Sequence, residues 1–148
     1  MAKTYLGYQP HDHTTEYAKY YEDTIQALPA HVQSALENSP FPAGSLPPFS
    51  AAPALQNEGY TNLETGYCIE SDGALHAAIL TQMPGVSPQM WDWWFAWHGC
   101  RDSRYKLWHP TSHVSAQWED GRDDVAYIGR NSIIIEYIGK EYTQGSIQ

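Results

Sequence analysis

The spacing of apolar positions divides the chain into a helical first part and a strand-rich remainder. Tyr17, Tyr20, Tyr21, Thr24, Ile25 and Leu28 fall on one face at helical spacing, behind Thr14 or Thr15 as a cap. Residues 1–13 precede this helix as an extended lead-in. Pro29 ends it and suits the first turn of a second short helix carrying Val32 and Leu36. Residues 38–53 hold Pro40, Pro42, Pro47, Pro48 and Pro53, a density that excludes a helix or a central strand and predicts a linker or wrapping arm.

Beyond the arm the period changes. Gly66–Glu70 and Ala74–Leu80 flank the turn signal Ser71-Asp72-Gly73 and predict a hairpin, with a helix as the alternative for the alanine-rich second arm. Ser87 is an N-cap, Pro88 a first helical residue, and Trp91, Trp94, Phe95 and His98 follow on one face until Gly99. Arg101–Arg104 is a polar connector. Tyr105–His109 alternates and predicts a short strand ending at Pro110. His113–Trp118 predicts another, with His113, Ser115 and Gln117 on one face. After an acidic turn over Glu119–Asp124, Val125–Ile128 resumes extended structure. Asn131–Gly139 is the clearest strand, with Ile134, Glu136 and Ile138 sharing a face. The tail Lys140–Gln148 has no capped end, as if the fold were cut there. The expected class is α+β, with a helical segment and its Pro-rich linker over residues 1–55 and antiparallel strands over 56–148.

Composition narrows the function. The 148 residues are 42% hydrophobic and 17% charged, the profile of a globular domain. Eight Lys and Arg set against seventeen Asp and Glu leave a net charge of −9 and no basic stripe, which argues against nucleic acid and anionic membranes. No apolar run is long enough to span a bilayer and the N-terminus has no signal-peptide core, so a cytoplasmic protein with Cys68 and Cys100 as free thiols is expected.

Candidate chemistry concentrates between Met83 and Glu136, which holds all six Trp and three of the seven His. Zinc takes imidazole and carboxylate ligands from elements distant in sequence. His113 and Glu136 lie on separate strands able to face one pocket, and Glu136 between isoleucines on a buried face needs a cation or metal partner. His98 and His109 are further candidates. His11-Asp12-His13 reads as a polar arm, and His76 as a structural histidine.

Met83-Pro84-Gly85-Val86-Ser87-Pro88-Gln89-Met90-Trp91-Asp92-Trp93-Trp94, then Trp97-His98, Arg104-Tyr105-Lys106-Leu107-Trp108-His109-Pro110 and His113, resemble the 2,4-diacetylphloroglucinol hydrolase family and its phloretin hydrolase relatives, over the N-terminal half of the family pattern. The resemblance implies a Bet v 1-like, START-like helix-grip fold, here incomplete, a Zn2+ cofactor and a homodimer. It implies cleavage of the carbon–carbon bond between a phenolic ring and an acyl group, with a small aromatic ketone or phenol as substrate. It places a zinc ligand at His113, a substrate-contacting and catalytic Tyr at Tyr105, and a second zinc ligand at Glu136, with Glu141 as the alternative. His109 would relay a proton, and Trp94 and Trp108 would wall the substrate. The family's other two ligands, a His and a Glu one helical turn apart near the end of a longer chain, have no match, because His113 is the last histidine. His98, His109 or His76 would replace them only in a rebuilt site, and a second chain is another source. A non-catalytic module that binds aromatic ligands or dimerises is the alternative function.

Overall fold

The computed structural model describes residues 7–124 and 126–148. The first six residues of the expected lead-in, and Val125 of the expected Val125–Ile128 extension, lie outside them. The described residues form an α+β structure with helices and two antiparallel sheets. The described residues pack into two compact units, one formed by those up to Gln26 together with those of Gly85–Gln148, the other Ala27–Pro84. No helix among the described residues is long and apolar enough to cross a membrane.

In the unit Ala27–Pro84, α1 (Ala30–Glu37) begins directly after Pro29, as Pro29 predicts. The proline-rich arm carries one 3-10 segment, Phe49–Gln56, and a residue at its start, Phe41, bridges the first strand. The hairpin forms as β1 (Thr65–Ile69) and β2 (Leu75–Ile79), in unbroken antiparallel register. The strand alternative for the alanine-rich arm therefore prevails over the helix. Gly66, at φ 135°, lets β1 run close to Phe41, since a Cβ there would lie 2.7 Å from the ring.

In the other unit, α2 (Pro88–His98) has the predicted ends. Ser87 Oγ accepts from the Met90 N–H at 3.2 Å, Pro88 opens the first turn and Gly99 follows the last. The three-stranded sheet has the order β3 (His113–Trp118), β4 (Ser132–Ile138), β5 (Glu141–Ile147). The tail is thus a strand, returned from β4 by a two-residue turn with Gly139 at φ 62°. A first turn residue with positive φ is what glycine accepts most readily. β5 escapes the pattern analysis because it is an edge strand with solvent on most positions, so no apolar alternation marks it. The core of this unit is small: Tyr105, Ala116 and Ile134 form one cluster, and Ala96, Cys100 and Trp118 are buried as well.

Three expectations are corrected. The helix through Tyr17, Tyr20, Tyr21, Thr24, Ile25 and Leu28 does not form. Two short 3-10 turns, Asp12–Thr14 and Ala18–Tyr20, stand there instead. The tyrosines are drawn to separate partners: Tyr17 meets Trp97 edge-on and its hydroxyl bonds Ser103 Oγ at 2.8 Å, while Tyr21 stacks on Tyr8. Ile25 and Leu28 stay about half exposed, so the stripe has no surface to bury it as a helix. Tyr105–His109 is not a strand, because α3 spans Asp102–Trp108. Asp102 sits favourably in the first turn of that helix, and its carboxylate holds the Ala116 N–H at 3.0 Å. Ala126–Ile128 join no strand.

One buried ion pair ties the N-terminal segment to α3. Lys106 Nζ lies 2.8 Å from Asp12 Oδ2, and the two side chains are 5% and 2% exposed. Burial pushes the Asp12 carboxyl up, but hydrogen bonds from the Gln9 N–H and Lys106 outweigh it and hold the group below the usual carboxylate value. Asp12→Asn leaves the ammonium of Lys106 buried without its counter-charge. The expected cost is about 3 kcal/mol, read from urea unfolding. Because the folded state holds Asp12 ionised more strongly than the unfolded state does, this contribution is complete above about pH 4 and fades as pH falls through the lowered folded value. The stability of the wild type should therefore drop more steeply than that of Asp12→Asn over the acid range, and parallel curves would refute the assignment.

Candidate functional site

The site grows from a break in strand regularity. β3 pairs with β4 as Trp118↔Ser132, Ala116↔Ile134 and Ser115↔Ile135, yet His113 pairs with Glu136. The extra residue, Val114, is a β-bulge. Directly paired residues project to the same side of a sheet, so His113 joins Ala116 and Trp118 on the face of Ser132, Ile134 and Glu136. The expected grouping of His113 with Ser115 and Gln117 is overturned by this one inserted residue. The bulge brings the imidazole over the carboxylate.

α3 supplies the third member. Tyr105 is 4% exposed, and its ring stacks on that of His113 with centroids 3.6 Å apart and planes within 1°. Its hydroxyl donates to Glu136 Oε2 at 3.2 Å. Its backbone carbonyl, one of the last four of α3, accepts from His113 Nδ1 at 2.8 Å. A carbonyl only accepts, so the proton of a neutral His113 is on Nδ1 and Nε2 carries the lone pair.

That lone-pair atom lies 3.4 Å from Glu136 Oε2. Burial lowers the pKa of His113 and keeps it neutral, although the Tyr105 carbonyl and the Glu136 charge act in the opposite sense. A cation or a proton between two acceptor atoms at this separation would relieve their mutual repulsion. Two ligands on one tetrahedral zinc, each about 2.0–2.1 Å from the ion, are about 3.3–3.4 Å apart. The donor pair therefore fits two positions of a zinc site, with the other imidazole nitrogen held by a carbonyl as zinc-binding histidines require. Among the described residues no third His, Cys, Asp or Glu completes a metal-binding group. Burial and the nearby Glu136 charge raise the pKa of Tyr105, so its hydroxyl keeps its proton at neutral pH.

Aromatic rings surround the trio. Trp108 meets His113 edge-on at 6.1 Å and His98 at 4.7 Å. Trp94 stacks on His98 at 5.1 Å and meets Trp108 at 6.4 Å. Trp108 is 46% exposed, which leaves ring surface for a flat ligand. His98 is buried with Nδ1 on the Trp94 carbonyl at 2.7 Å, and burial lowers its pKa. The ring of His109, which caps α3, lies 5.5 Å from that of His113 but bonds neither Tyr105 nor Glu136. Glu141 is exposed on β5 opposite Ile138. His76 belongs to the other unit, 3.6 Å from Glu70.

The structure thus gathers Tyr105, His113 and Glu136 at hydrogen-bonding range, sets Trp94, Trp108 and His109 near them, and leaves Glu141 apart. Residue spacing did not disclose Asp102, whose carboxylate holds β3 just beyond the bulge. Its only trace in the sequence is an acidic residue beside Ser103 at a helix start, which the strand reading of Tyr105–His109 obscured.

Comparison with known proteins places this geometry in context. Phloretin hydrolase of Eubacterium ramulus is 32% identical over 116 residues, covering 76% of this chain and 42% of that enzyme. The 2,4-diacetylphloroglucinol hydrolase of a Pseudomonas species is 28% identical over 117 residues, covering 78% and 40%. That of Pseudomonas protegens is 27% identical, covering 78% and 38%. The chain therefore spans about two fifths of the length of these relatives. The DAPG hydrolase PhiG domain matches residues 46–148, a stretch that takes in the hairpin, α2, α3 and the whole three-stranded sheet, and the chain belongs to that family.

Proposed function

We propose that this chain carries part of the active site of a zinc-dependent hydrolase that splits the bond between a phenolic ring and its acyl group. The observation that carries this reading is the His113–Glu136 pair, a neutral imidazole nitrogen 3.4 Å from a carboxylate oxygen beneath the Tyr105 hydroxyl. Two of the enzymes compared above are named as hydrolases of phloretin and of 2,4-diacetylphloroglucinol, which supports this reading. We further take α2, α3 and the β3–β4–β5 sheet as part of a helix-grip domain of the Bet v 1 type, on the order of two helices followed by antiparallel strands.

In this reading His113 and Glu136 hold the zinc. When bound, zinc polarises an acyl carbonyl or lowers the pKa of a water to about 7. Hydrolysis adds water across the bond: hydroxide joins the acyl carbon, and the ring carbon leaves with the electron pair and takes a proton. Tyr105, still protonated, would turn its one O–H from Glu136 to a substrate oxygen and steady the developing charge on the ring. His109, its ring 5.5 Å from that of His113, would pass the proton toward the ring carbon. Trp94 and Trp108 hold the flat ring and exclude water around it.

A second reading rests on the two-ligand set. With no third metal-binding side chain among the described residues, the same wall would hold an aromatic ligand without cleaving it.

Elemental analysis is expected to find zinc in the wild type and none in His113→Ala, with acylphenol cleavage lost alongside it. Unchanged zinc and turnover would sink the assignment. Tyr105→Phe keeps the ring stack and removes only the hydroxyl. It is expected to retain zinc while cleavage falls on the order of 100-fold, and full turnover in that variant would remove Tyr105 from the chemistry. Quenching of tryptophan emission by an acylphenol, with no product from zinc-loaded protein, would establish the binding reading instead.

A further inference from the structure

The hairpin of the unit Ala27–Pro84 has one covered edge and one open edge. On β1, the Tyr67 carbonyl accepts from the Phe41 N–H at 2.8 Å and the Tyr67 N–H donates to Ser39 Oγ at 3.3 Å. Both groups point away from β2, so Tyr67↔Ala77 is a non-hydrogen-bonded pair of the ladder. By alternation the N–H and C=O groups of Leu75, Ala77 and Ile79 all point outward on the far side of β2. Among the described residues none of these groups has a backbone partner.

A cavity of about 740 Å3 follows this edge. Its lining includes every residue from Leu75 to Leu80, so it runs along the strand edge and not along one face, where only alternate residues would line it. Phe49, Leu55 and Tyr60 are among the residues of its other wall, and all three are at least 70% exposed. Exposed strand edges are normally blunted by Lys, Pro or a bulge, and β2 has none of these.

Charge identifies the occupant. The stretch Ala27–Pro84 contains no Lys or Arg, and its acidic residues are Glu37, Glu58, Glu64, Glu70 and Asp72. Glu58 and Glu64 lie in the lining itself. A second copy of this unit would bring only further negative charge to the same edge. We propose that β2 and its trench take up an extended segment of a partner protein in which aliphatic and basic side chains alternate. The segment adds a strand to β2 through Leu75, Ala77 and Ile79. Its aliphatic side chains lie against the apolar wall and its basic ones meet the carboxylates. This surface uses none of the residues of the proposed hydrolase site.

The test uses the full chain and two end-blocked, fluorescein-labelled peptides of equal length, one alternating Lys and Val, the other Glu and Val. Anisotropy is expected to show saturable binding of the Lys peptide only, with protection of the Ala77 amide from hydrogen exchange. Ala77→Pro removes an outward N–H that the β1–β2 ladder does not use, and Ala77→Lys places a cation on the edge. Each is expected to weaken binding at least roughly tenfold, with far-ultraviolet circular dichroism reporting the fold. Equal binding of both peptides, binding that neither variant weakens, or no binding at all would overturn the proposal. So would a dimer of the free chain in which the Ala77 amide is already protected.

Discussion

The hydrogen bond from His113 Nδ1 to the Tyr105 carbonyl joins the end of α3 to the start of β3. It settles three things at once. The imidazole is fixed in one tautomer, with its free nitrogen toward Glu136. The tyrosine ring is held flat against the imidazole, so its hydroxyl reaches the same carboxylate. A carbonyl in the last turn of α3 gains a side-chain donor. The bulge at Val114 is the other half of this constraint, since without it the imidazole would project from the opposite face of the sheet. α3, β3 and β4 thereby present a side-chain trio with one member from each.

Around that trio, charge and aromaticity are partitioned along the chain. Six of the eight Lys and Arg lie between Arg101 and Lys140, and the stretch Ala27–Pro84 has none. Arg104 lies over the rings of Trp97 and Tyr17, and Arg130 over Trp118 while it pairs with Asp120 and Asp124. Most of these cations are thus engaged in holding one unit together. The other unit, with carboxylates only, presents a surface of one sign.

Local chemistry made part of this architecture legible. Ser87, Pro88 and Gly99 mark both ends of α2, because caps act through backbone groups a few residues away. The turn Ser71-Asp72-Gly73 announced the hairpin, and the apolar run of β4 announced a buried strand. His113 and Glu136 are legible as partners because each sits on a strand. The reason they meet was not legible, since nothing in Val114 distinguishes a bulged residue from a paired one. Tyr105–His109 alternates like a strand, but Asp102 and the contact of α3 with β3 decide for a helix. The tyrosines near residue 20 carry the period of a helix and lack a surface to bury it. In each case a tertiary contact overrode a local preference.

The confinement of tryptophan to one unit has a spectroscopic corollary. All six lie between Trp91 and Trp118, and several are stacked or edge-on to one another and to His98. Intrinsic emission excited at the indole band therefore senses the environment of that unit alone, while the hairpin unit contributes only tyrosines such as Tyr60 and Tyr67. Circular dichroism in the far ultraviolet registers both. The two signals watch different portions of the same chain, so any lag between them during unfolding measures how far the portions melt as one.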